Sequence, residues 1–154
     1  VLTVVGIGNP WRRDDAAGLV AARCLRGTMP TSVEILEREG EPSSLIDTFE
    51  GAEAVWLIDA VSSGAAAPGT VHRLDAAASA LPAELFSTST HHLGLADAVE
   101  LARALDRLPE RLVVFGIEGA SFGTGDELTP EVEAGAVRAA DAVREEVLAC
   151  MKRP

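Results

Sequence analysis

The sequence predicts a layered α/β domain on a mostly parallel sheet. Three observations carry this: short β-branched apolar runs, helix-spaced apolar stripes between them, and turn residues at each junction. Residues 1–7 form the first run, and Gly6, Gly8, Asn9 and Pro10 punctuate its end, so a buried strand leads into a turn. Over residues 16–25, Ala16, Leu19, Val20 and Cys24 recur at helical spacing, with Asp14 or Asp15 as the natural N-cap. Residues 33–36 read as a second strand, and residues 43–49, after Pro42, as a short helix.

The strongest strand signal is Ala54-Val55-Trp56-Leu57-Ile58, which stops at Asp59. After a loop rich in Gly, Ala and Pro, residues 70–74 form a fourth strand. Leu95, Val99, Ala102 and Leu105 stripe a helix over residues 93–105, and residues 112–117 form a central strand. Thr129 followed by Pro130 marks a helix start, with Val132, Ala136, Ala140, Val143 and Val147 on one face of the closing helix. No repeat or linker interrupts the pattern, so residues 1–154 read as a single domain.

The 154 residues include 24 acidic and 13 basic side chains, a formal net charge of −11. Such a surface repels phosphate backbones and anionic lipid, which argues against nucleic acid and membrane partners. Cys24 and Cys150 are the only cysteines and have no metal-ligand spacing, which suits a reducing cytoplasm. No apolar run approaches the ~20 residues of a membrane span. The opening run is too short for a signal-peptide core, so a cytoplasmic protein is expected, with a monomer as the plain default.

Several motifs can be set aside. A dinucleotide fingerprint beginning at Gly6-Ile7-Gly8 needs its third glycine at position 11, which is Trp11. Lys152 is the only lysine and lies at the tail, so there is no phosphate loop. Neither a Gly-x-Ser-x-Gly elbow nor a His-Glu-x-x-His helix occurs.

Carboxylates and histidines remain. Asp59 follows five apolar strand residues, where a lone buried carboxylate is costly and needs a cap, a cation or a metal. Asp14 and Asp15 follow strand one at the same sheet edge, if both strands run parallel. Among the histidines, His72 reads as a partly exposed strand residue, while His91 and His92 sit at the mouth of a helix. Two carboxylates and one imidazole from three loops make an O,O,N set suited to nickel or zinc. From spacing alone the plainer alternative stays open, with Asp14 or Asp15 as a helix cap and Asp59 as a turn residue.

Taken together, the segments resemble the hydrogenase maturation proteases. Gly6-Ile7-Gly8-Asn9, four further residues, Asp14-Asp15 and Gly18 are similar to that family's N-terminal signature. Leu57-Ile58-Asp59-Ala60-Val61 resembles its second acidic block, and Ala67-Pro68-Gly69-Thr70 the turn that follows. His91-His92-Leu93-Gly94-Leu95-Ala96-Asp97 resembles its histidine block, and Leu128-Thr129-Pro130-Glu131-Val132 the start of its last helix.

The resemblance implies a three-layer α/β/α fold of phosphorylase/hydrolase-like type, its five-stranded twisted sheet reversed only at residues 70–74. It implies an endopeptidase that removes the C-terminal extension from the nickel-loaded precursor of a nickel–iron hydrogenase large subunit. The family's nickel-reading ligands fall on Asp15, Asp59 and His91, with His92 as a neighbour. The nickel is carried by the substrate, and zinc or another divalent metal is an alternative occupant in the isolated protein. The metal acts either as a Lewis acid or as a recognition handle beside a carboxylate base. A non-proteolytic nickel-binding chaperone is the alternative function, and a nucleotide binder a more distant one. Two departures stand out: Asp15 where some members carry Glu, and Glu37-Arg38-Glu39-Gly40-Glu41-Pro42 where the family often shows Asp-Gly-Gly-Thr.

Overall fold

A computed structural model describes residues 1–86 and 94–153. Five strands form one sheet: β1 (Leu2–Ile7), β2 (Val33–Arg38), β3 (Ala54–Val61), β4 (Val71–Asp75) and β5 (Arg111–Glu118). Their spatial order is β2-β1-β3-β5-β4, parallel throughout except for β4, which runs antiparallel to β5. The reversed strand is the one that the resemblance implies, shifted by one residue.

The central strands are apolar on both sides because helices cover both faces. On one face, α1 (Ala17–Leu25) and α4 (Pro130–Met151) bury Val4, Trp56, Ile58, Val113, Phe115 and Ile117. On the other, α2 (Pro42–Phe49) and α3 (Leu95–Ala104) cover Val5, Ile7, Val55, Leu57 and Val114. The layers are therefore α/β/α.

Helix α4 buries the predicted Val132, Ala136, Ala140, Val143 and Val147. Helix α1 departs from its predicted stripe: Ala17, Ala21, Ala22 and Leu25 are buried, whereas Val20 and Cys24 are only partly so. Small side chains let this helix lie close to the sheet, so contact spreads around it. In α3, Leu95, Val99 and Ala102 are buried but Leu105, just past the last turn, is exposed.

Two predicted caps are not made. Asp14 and Asp15 lie inside a 3-10 turn (Arg13–Ala16), and Ala16 occupies the cap position of α1 without a side-chain bond. Thr129 does occupy the cap position of α4, but its hydroxyl bonds elsewhere. Asp59 is also not a turn residue, because β3 continues past it to Val61 in register with β5.

Candidate active site

The strand order reverses between β1 and β3, since β1 is followed outward by β2 and β3 by β5. In open α/β sheets this switch point, at the carboxyl ends of the strands, leaves a crevice where ligands bind. Two glycines bring the backbone close here. A side chain on Gly8 would strike the Asp15 carbonyl, and one on Gly18 would strike the carbonyls of Ile7 and Ile58. Gly18 thus gives the close helix–strand approach that a dinucleotide fingerprint assigns to position 11. The turn between is pinned to the β5–α4 loop, where Gly125 N–H donates to Trp11 O and Arg13 N–H to Gly125 O, both at 2.9 Å. Arg13 pays for this path with a φ of +48° and a buried Nε that has no hydrogen-bond partner.

The adjacent aspartates do different work. Asp14 is fully buried, and its carboxylate accepts N–H bonds from Ala120 (2.9 Å), Ser121 (2.8 Å) and Thr129 (2.8 Å), plus the Thr129 hydroxyl. It fastens the turn to the start of α4. Asp15, 9% exposed, accepts the Asn9 N–H at 3.0 Å on one oxygen.

Asp59 lies near it, as the 3-10 turn packs against β3. Asp59 accepts the Ala60 N–H at 2.8 Å. Burial, and then the negative charge of Asp15, push the Asp59 carboxyl well above the usual carboxylate range, with the Ala60 bond only partly opposing them. Two predicted site residues are thus brought together. The third, His91, lies outside the described residues, as does His92. Among the described residues, no group of three His, Cys, Asp or Glu side chains gathers to hold a metal.

His72 is partly exposed, as predicted, but it has a partner that the sequence did not indicate. Its Nε2 is 3.1 Å from Glu118, a nearly fully buried carboxylate that also accepts the Ser63 hydroxyl (2.6 Å) and N–H (2.8 Å). Burial alone would raise the Glu118 carboxyl, but the Ser63 and His72 bonds outweigh it and hold it below the usual range. Asp59, Gly116 and His72 share one row of the sheet, so this cluster flanks Asp59 two strands away. Asn9 was also passed over as a mere turn residue. The available signal was an acidic end to an apolar strand for Glu118, and an Asn that could bond its own turn for Asn9.

The divergent stretch at residues 37–42 lies beside this edge. Glu37, Arg38, Glu39 and Glu41 line an open cleft of about 420 Å³ with Gly8 and Pro10. Among the described residues, no helix is long and apolar enough to cross a membrane.

Comparison with known proteins agrees with this architecture. The family model for hydrogenase maturation proteases matches residues 20–146, a stretch that includes Asp59 and His91 and begins after Asp15. A hydrogenase 2 maturation protease from Escherichia coli is 33% identical over 137 residues, covering 86% of this chain and 82% of that protein. The solved structure of the hydrogenase maturating endopeptidase HybD from Escherichia coli superposes with a TM-score of 0.74 at 28% identity, covering 98% of this chain and 91% of that one. The maturation protease HybD from Thermococcus kodakarensis gives 0.72 at 28% identity, covering 94% and 97%. With a family match over most of its length and a shared fold, this chain belongs to the hydrogenase maturation proteases, hydrolases that cut peptide bonds.

Proposed function

We propose that this chain removes the C-terminal extension from the nickel-loaded precursor of a nickel–iron hydrogenase large subunit. In this reading Asp15, Asp59 and His91 grip the nickel that the substrate carries. The observation that supports it is the pairing of Asp15 and Asp59 at the switch point, where burial and the charge of Asp15 disfavour the ionised form of Asp59. A cation presented between them relieves that repulsion, and carboxylate oxygens with an imidazole nitrogen suit a borderline divalent metal.

The chain's own groups then position the tail. Asn9 N–H holds one oxygen of Asp15, and Ala60 N–H holds one oxygen of Asp59, which fixes both carboxylates before the substrate arrives. Hydrolysis requires water to add to the scissile carbonyl carbon and the carbon–nitrogen bond to break. One proton from water must reach the departing amine, and in this reading a carboxylate of the pair relays it.

The test is the mass of the large subunit after incubation with the protein. Nickel-loaded precursor should lose its tail, and nickel-free precursor should not. An unchanged mass with loaded precursor in a stable complex would instead identify a chaperone. Efficient cutting of nickel-free precursor would remove metal-guided recognition. His91→Ala should abolish cleavage while His92→Ala retains it, and the reverse result would move the ligand to His92.

A further inference from the structure

The two tryptophans of this chain have opposite surroundings. Trp56 is fully buried on β3, with its Nε1–H toward Glu146 at 3.4 Å, whereas Trp11 is 68% exposed. A large aromatic side chain left in water forgoes stabilisation that burial would supply. Among the described residues the other exposed large apolar side chains are Val1, Leu101, Leu105, Val137 and Met151. These lie at the terminus, along α3 and α4 or just past α3, and none belongs to the turn that carries Asp15.

Trp11 belongs to that turn, and its main chain is held there. Its N–H donates to the Asn9 side-chain oxygen at 2.9 Å, and its carbonyl accepts the Gly125 N–H at 2.9 Å. Asn9 in turn donates its own N–H to Asp15 at 3.0 Å. One residue therefore holds both the acid and the main chain that carries the exposed indole. Next to it, Pro10 lines the open cleft beside β2. An exposed aromatic on a fixed main chain beside a binding site suits an interface anchor, because little backbone entropy remains to be lost on docking.

We propose that Trp11 is the docking anchor for the precursor: its indole enters an apolar recess on the precursor's surface, beside the segment that reaches Asp15 and Asp59. This rests on the function proposed above. The occupant is a protein surface of that substrate, because the anchor and the acid lie four residues apart in one turn and are both held by Asn9. An anionic membrane is disfavoured by the chain's net charge of −11.

Acrylamide quenching of tryptophan emission tests this directly. In the free protein Trp11 supplies the quenchable component, which Trp11→Phe removes, while Trp56 stays protected. Adding nickel-loaded precursor should abolish most of the quenching. Trp11→Ala should raise KM for tail removal at least about tenfold with a much smaller fall in kcat, and Trp11→Phe should recover part of the loss. An unchanged circular dichroism spectrum checks that the Ala variant is folded.

Cleavage by the native chain with Trp11 still quenchable, or with KM unmoved in Trp11→Ala, overturns the anchor and leaves the protease reading intact. Protection of Trp11 by precursor whose mass never changes keeps the anchor and overturns the protease reading. Failure of the precursor to bind at all overturns both. Protection that rises with protein concentration alone, or with phosphatidylcholine vesicles alone, assigns the indole to a second copy or to lipid and overturns the proposal.

Discussion

Two carboxylate centres at opposite parts of the fold, Glu146 on α4 and Asp59 on β3, have their proton affinities displaced in opposite directions. On the α4 side, Glu146 accepts a forked pair of bonds from Arg73 at 2.7 and 2.9 Å and approaches the Trp56 indole N–H, with Arg111 3.9 Å away. The Arg73 bonds hold the Glu146 carboxyl below its usual range against the opposing effect of burial, helped by Trp56 and Arg111. At the switch point, Asp59 meets burial and a like charge, and is pushed well above that range. The first centre is satisfied by the fold. The second is held in a state that the fold disfavours, which is where a ligand has something to gain.

The largest effect that would break this contrast is at Asp59. Asp59→Asn keeps an oxygen for the Ala60 N–H but cannot ionise, so cleavage should fall by at least about a hundredfold, read from the mass of the large subunit. The same variant should be more stable at neutral pH. A carboxyl whose folded pKa is raised favours the fold most at pH below its unfolded value, and that contribution is lost as pH rises through the folded one. Asn never incurs the cost of ionising, so Tm should rise at pH 7, by roughly 2–4 °C for each 1 kcal/mol relieved. A lower Tm would show that Asp59 supports the fold as Glu146 does.

Asp14 sharpens the comparison, because it lies next to a site residue yet belongs with the satisfied group. Asp14→Ala removes a fully buried acceptor from three part-buried backbone N–H groups, and a loss of about 2–4 kcal/mol is expected from chemical denaturation. Cleavage by the fraction that remains folded should survive better than in Asp15→Ala. The reverse ranking would exchange the roles of the two aspartates.

Gly18→Ala tests the close approach of α1. The added methyl meets the carbonyls of Ile7 and Ile58, so a cost of about 1–3 kcal/mol is expected, with lowered activity as the Asp15 turn shifts. The smallest effect belongs to Glu146→Gln, about 1 kcal/mol at neutral pH by denaturant titration. Because the folded pKa of Glu146 is depressed, its contribution is present above the unfolded value and disappears as pH falls through the folded one. The variant should therefore lose less stability on acidification than the native chain.

Much of this was legible before any coordinates. The five strands and four helices were predicted near their observed places, and the two acidic blocks were read from residue order. Asp59 was misread as a strand terminus because an aspartate after five apolar residues looks like an exit. Pairing with Gly116 keeps it in the ladder instead. Asp14 and Asp15 were taken together as possible caps, since local sequence favours an aspartate before a helix. The donors that claim Asp14 come from residues more than 100 positions away, and those outcompete the local option.

Sequence alone determined the alternation of strand and helix, the sheet's mostly parallel character and the family. These follow from apolar periodicity and turn chemistry, which act over a few residues and leave their pattern in the chain. Only the tertiary structure decided that Asp14 is a latch and that Asp15 meets Asp59, that His72 answers to Glu118, and that Trp11 is left in water. Neighbours in sequence share a propensity but not an environment. The strand order and the loop from β5 to α4 decide which side chain meets a donor, which meets a like charge and which meets solvent.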